Sequence, residues 1–125
     1  MAFKVELTVD DQTFTVRDFY LSILRPTNDK GQPSSKPSWT LDVTIDAVSE
    51  TTITQWMIDP SKQSDGSIAV YKTDGDGTLK KLSFSKSNCF GMVDRFIPGM
   101  SDASCYFRIA GEEIQVGTVT LSSNS

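Results

Sequence analysis

Asp42 and Asp46, in the run WTLDVTIDA (39–47), are two carboxylates four positions apart on an alternating segment. A strand rises roughly 3.3 Å per residue and presents every second side chain on one face, so this spacing puts both carboxylates on the same side. A paired-carboxylate hydrolase starts from such an arrangement. The neighbouring residues imply neither an apolar pocket nor a partner base, and the pair therefore reads as a solvated strand face. DGDGT (74–78) resembles the start of an EF-hand loop. Counted from Asp74, however, the sixth position is Leu79 and the twelfth Ser85, where Gly and Glu are needed, so calcium is not expected.

The 125-residue chain contains no histidine. That removes the usual general base, the usual triad partner and the commonest metal ligand together. Lys80 and Lys81 read as charges at a hairpin edge, which discourage wrong strand pairing. Cys89 and Cys105 read as buried small hydrophobes rather than a disulfide. No catalytic residue, metal site or cofactor is predicted.

The length allows one domain, residues 1–125, with a single core. A hydrophobic fraction of 38% and a charged fraction of 22% are those of a globular chain. A formal net charge of −4 argues against a broad nucleic-acid surface. No apolar run approaches the roughly 18 residues of a membrane helix. MAFKVELTVDD has acids where a signal peptide would carry its apolar stretch, which predicts synthesis in the cytoplasm without a cleavable address and no membrane insertion.

The elements follow from periodicity. FKVELTV (3–9) alternates strictly, with Phe3, Val5, Leu7 and Val9 on one face. TFTVRDFYLSIL (13–24) puts Phe14 and Val16 on one parity and Phe19, Leu21 and Ile23 on the other, so a bulge is predicted near Arg17 and Asp18. WTLDVTIDA is the clearest strand. In SETTITQWMIDP (49–60), Ile53, Trp56 and Met57 fall at helical spacing, Thr52 and Gln55 have capping-box spacing, and Pro60 stops the helix. SIAVYKT and KLSFSK flank DGDG as a hairpin. NCFGMVDRF (88–96), SCYFRIAG (104–111) and EIQVGTVTL are further strand candidates. Seven or eight strands and one helix predict a mainly β protein, a small closed or nearly closed antiparallel barrel with one short flanking helix.

Trp39, Trp56, Phe84, Phe90 and Phe107 could line a ligand-binding interior, but a barrel this small is filled by its own aromatic side chains. RPTNDKGQPSSKPS (25–38) is unlike the rest: it is a polar arm far longer than the usual connection of about two to five residues between neighbouring strands. Pro33 and Pro37 miss the PxxP spacing of an SH3 ligand.

This order of elements resembles the Hcp family, the tube proteins of type VI secretion systems, in its divergent short branch. The resemblance rests on FKVELTVDDQTFTV, DKGQPSSKPSWTLDVTIDA, TTITQWMIDP, GSIAVYKTDGDGTLKKLSF and EEIQVG, which together span nearly the whole chain. It implies a barrel subunit without enzymatic activity that forms hexameric rings. Rings would stack into a tube driven outward by a contracting sheath, with sheath, tip and effector proteins as partners, effectors riding in the lumen, and export through the apparatus itself. It also implies that the arm reaches a neighbouring subunit or ring through Gly31, Gln32, Pro33, Ser34 and Ser35. The alternatives are a tail-tube protein of a phage or another contractile injection system, and a small-ligand-binding β-barrel.

Overall fold

The structure, a computed structural model, describes residues 3–25, 30–31, 37–46, 52–59, 61–72, 77–100 and 102–122. Among them are seven strands and one α-helix: β1 (Phe3–Val9), β2 (Gln12–Leu24), β3 (Ser38–Asp46), α1 (Thr52–Ile58), β4 (Ser64–Lys72), β5 (Thr78–Ile97), β6 (Asp102–Val116) and β7 (Val119–Ser122). A single 3₁₀ turn, Pro98–Met100, joins β5 to β6. Every pairing among these strands is antiparallel. The order β3-β2-β1-β4-β5-β6 closes on itself through β3–β6, giving a six-stranded barrel with β7 attached to β6 outside the ring. The expected closed barrel with one flanking helix is the one observed.

The phase change in β2 is a real bulge. Val16 pairs with Ile45 and Asp18 with Thr44, so Arg17 is the extra residue. The bulge lets β2 pair with β1 through Gln12–Thr15 and with β3 through Val16–Leu24. A strand that bends at a bulge can serve two sheets, which is how a small barrel turns its corners. At the β1–β2 corner, Asp10 and Asp11 have φ of 50° and 65°, the left-handed pair that a two-residue hairpin requires.

Two strand boundaries differ from expectation. KLSFSK and NCFGMVDRF are one strand, the 20-residue β5. Where the two runs meet, Ser87 is buried and Lys86, at φ 49°, donates its amide to Asp65 at 2.9 Å. EIQVGTVTL is split: its first part ends β6, and a turn at Gly117, φ +61°, starts β7. The hairpin expected around DGDG is present as the antiparallel β4–β5 pair, although Asp74, Gly75 and Asp76 lie outside the described residues. Lys80 and Lys81 are exposed as expected; β4 pairs with both on one side, and on the other the β6 ladder begins only at Leu82.

The core runs through the barrel. Leu7, Trp39, Leu41, Val43, Ile68, Phe107, Ile109 and Ile114 are all fully enclosed, and burying each such side chain is worth about 1.5–3 kcal/mol. Helix α1 closes the barrel by inserting Ile53 and Trp56. Trp56 stacks on Phe84 with centroids 6.2 Å apart, and its indole N–H donates to the Ser87 carbonyl at 3.0 Å. Opposite Ser87, Gly111 lets β6 approach: a Cβ there would lie 2.4 Å from Ser87 Oγ and 2.7 Å from its Cα. The cysteines are buried and free. Phe90 breaks the expected pattern. It is 60% exposed, because the β5 register slips between Cys89 and Gly91 and leaves Phe90 unpaired on the surface. The expected Thr52–Gln55 capping pair falls partly outside the described residues, since the Thr52 side chain is not among them.

Candidate assembly interface

The pairing of β2, β5 and β6 divides the barrel into two sheets, and one of these has two open sides. It consists of β2 from Asp18 to Leu24, β3, β6 from Asp102 to Ile109, and β5 from Gly91 to Ile97, in that order. β1 stops pairing with β2 at Thr15, and β4 stops pairing with β5 at Ser87. Among the described residues, both outer strands of this sheet therefore have a partner on one side only. Unpaired strand edges offer rows of N–H and C=O groups to another chain.

Large apolar side chains cluster on those edges. Ile23 and Leu24 are exposed on β2, and Val93 and Phe96 on β5, with Phe96 65% accessible. On β2, Phe19 and Leu21 are half-buried against the core. Exposed apolar side chains along an open edge are what a protein–protein contact uses.

The outward face of the same sheet is polar. Asp42 lies between Tyr20 of β2 and Arg108 of β6 in one cross-strand row. Contrary to the solvated-face reading, Asp42 is only 2% exposed. Arg108 Nε donates to its Oδ1 at 2.9 Å, and the Tyr106 hydroxyl donates to the same oxygen. The two donors come from a strand far along the chain, so sequence parity alone could not show that they roof the carboxylate. That Asp42 contact pushes the Tyr106 hydroxyl up from its ordinary value and also pushes Arg108 up. Asp46, on the same face, takes the Arg17 Nε at 2.5 Å, while Arg17 reaches Asp102 at 2.9 Å and donates to the Ala103 carbonyl at 3.0 Å. Hydrogen bonds from Asp46 and then Asp102 push the Arg17 pKa up. Each carboxylate of the predicted pair is thus bound to its own arginine, a fixed polar wall rather than an acid and a base facing one substrate.

Of the arm predicted to make contact, Lys30 and Gly31 are described and exposed, and Gly31 has φ +77° with open space around it. Gln32, Pro33, Ser34 and Ser35 lie outside the described residues. The arm leaves β2 at Leu24 and returns at Ser38, residues that pair with each other, so it is carried at one end of the open-edged sheet. Clefts of about 640, 420 and 360 Å³ lie at the strand ends and beside α1, not in the aromatic interior. The first is lined by polar groups such as Asp10, Ser64 and Lys81, with Asp10 already bonded to Ser64 and Lys62.

A closed barrel with a helical plug and an open-edged sheet is a fold that recurs in solved structures. The structure matches Hcp1 from Flavobacterium johnsoniae with a TM-score of 0.84 at 21% identity, covering 95% of this chain and 98% of that one. It matches Hcp1 from Salmonella typhimurium with a TM-score of 0.76 at 14% identity, covering 96% and 93%. A chain of an extracellular contractile injection system, the PVC sheath-tube complex in its extended state, matches with a TM-score of 0.63 at 14% identity, covering 93% and 89%. No curated protein sequence matches. The family model for hemolysin coregulated protein Hcp (TssD) matches residues 1–124, and the chain belongs to that family.

Proposed function

We propose that this chain is the structural subunit of a type VI secretion tube, assembling as hexameric rings that stack end to end. The single observation that carries this reading beyond family membership is the four-stranded sheet with an open strand at each side. In an antiparallel sheet of four strands the first and last run in opposite directions. When a second copy is rotated about an axis along the strands, β5 of one therefore meets β2 of the next antiparallel, and the same contact repeats around a ring. Such a heterologous interface closes when its rotation closes, and stacking of closed rings gives an open filament.

The polar, arginine-tied face would then line one wall of the ring, with the apolar face turned into each barrel. The arm at Gly31 to Ser35 would reach a neighbouring subunit or ring. Its short polar side chains tolerate water before contact, and its prolines reduce the entropy lost on docking. The proposed role involves no catalysed reaction and no cofactor. The proposed partners are the sheath, tip and effector proteins, with effectors in the lumen and export through the apparatus. The related injection-system structures favour a second reading, a tube protein of that kind. Sedimentation tests the assembly: six copies of the 13.8 kDa chain give a particle of about 83 kDa, and a species that stays at 13.8 kDa at every concentration refutes it.

A further inference from the structure

The two strands that carry the open edges bend just before those edges begin. β2 has its extra residue at Arg17, and its edge starts at Asp18. β5 has two such places. Against β4, Ser64 pairs with Ser87 and Gly66 with Phe84, so β5 takes one step more than β4 across Ser85 and Lys86. Against β6, Cys89 pairs with Ile109 and Gly91 with Arg108, so Phe90 is extra and the edge starts at Gly91. A bulge bends its strand and adds twist. The direction in which each edge leaves the barrel is therefore set at the bulges rather than along the edges.

On each strand one bulge residue is pinned from another strand. Arg17 bonds to Asp46 of β3 at 2.5 Å, and to Asp102 at 2.9 Å and the Ala103 carbonyl at 3.0 Å on β6. Lys86 sits at φ 49°, where a side chain is disfavoured, and its amide donates to Asp65 Oδ1 of β4 at 2.9 Å. Such a conformation persists only where its surroundings hold it, and a carboxylate acceptor makes the stronger kind of hydrogen bond. Arg17, Asp65 and Lys86 are all exposed, and none belongs to the hydrophobic core. They shape the backbone without supplying packing.

Ring closure is sensitive to small changes in that shape. A sixfold ring turns about 60° per subunit and a sevenfold ring about 51°, a difference of about 9°. That is less than the roughly 20–25° between two neighbouring strands of an ordinary sheet, so one relaxed bulge suffices to change the count. We infer that the bulges at Arg17 and Lys86, held by Asp46 with Asp102 and by Asp65, determine how many subunits close the ring. Arg17 and Asp65 are then positioning residues for ring size. The inference rests on the proposed ring and concerns only its size.

Three variants test it. Arg17→Ala and Asp65→Ala each release one bulge, while Asp65→Asn keeps an acceptor oxygen for the Lys86 amide. Ring size is counted by native mass spectrometry, and the urea midpoint of the monomer is measured in parallel. The unsubstituted protein and Asp65→Asn are expected to give rings of one size. The two alanine variants are expected to stay folded and to lower that ring's share about twofold or more, in favour of other sizes and open arcs. Alanine variants that keep the single size overturn the inference. Alanine variants that cannot fold overturn it too, because the bulges would then serve stability alone. Asp65→Asn rings as mixed as those of Asp65→Ala overturn the role of the Lys86 hydrogen bond. Absence of rings from the unsubstituted protein overturns the assembly reading itself.

Discussion

The indole N–H of Trp56, on the only α-helix among the described residues, donates to the carbonyl of Ser87 in the middle of β5 at 3.0 Å. The other core tryptophan, Trp39, is equally enclosed, but its Nε1 has no hydrogen-bond partner among the described residues. Replacing each by phenylalanine removes similar volume but different polar chemistry. Trp56→Phe breaks a buried hydrogen bond, whereas Trp39→Phe deletes an unsatisfied donor. Urea unfolding is expected to show Trp56→Phe as the more destabilising change by about 1–2 kcal/mol. Equal losses would mean that the Ser87 contact contributes nothing net.

The same serine faces Gly111, whose missing side chain leaves room for Ser87 Oγ and for the Lys86 carbonyl, 2.9 Å from where a Cβ would lie. Gly111→Ala forces two backbones apart in the middle of the β5–β6 pair. A loss of about 1–3 kcal/mol is expected, as for overpacked cores. Gly91→Ala, with open space around its Cβ, is the matched control and should leave the urea midpoint of the monomer nearly unchanged.

Stability should fall on the alkaline side. Burial first, then the Asp94 carboxylate, pushes the Cys105 thiol from its ordinary 9.0 up to about 12, and Asp42 holds the Tyr106 hydroxyl above its ordinary 10.0. The folded chain keeps both protons after the unfolded chain has released them. Their stabilisation is therefore complete below about pH 9 and is lost as pH rises through the folded values. Thermal melts between about pH 8 and 12 should show a steeper fall for the unsubstituted protein than for Cys105→Ala with Tyr106→Phe. Parallel curves would contradict this.

Deleting residues 30–36 is expected to leave a folded barrel, because the deleted segment contains no large apolar side chain for the core. Circular dichroism should be unchanged, while sedimentation shows fewer rings or shorter stacks. An unfolded product, with normal stacking of any folded fraction, would make the arm a structural strap instead.

Much of this fold is written locally. Strict alternation in FKVELTV and WTLDVTIDA is enough to mark β1 and β3, and the parity change around Arg17 locates the β2 bulge because apolar side chains must stay inside when the strand changes sheets. The continuity of β5 is hidden for the same reason. Its two halves obey different phases, and the polar residues between them are held by the distant Asp65 and Trp56. The burial of Asp42 escapes a reading by parity because enclosure at an outward position depends on what the next strand carries. Only the β3–β6 register, which sets Asp42 opposite Arg108, reveals the roof over it. The open edges are likewise invisible in the sequence, since they follow from where β1 and β4 stop pairing and not from the composition of β2 or β5.

Imaging the purified protein by negative-stain electron microscopy tests the central claim most directly. Class averages should show rings with sixfold symmetry and a central opening, joined into short stacks at high protein concentration. Particles that remain single barrels under all conditions, without rings, would contradict the account.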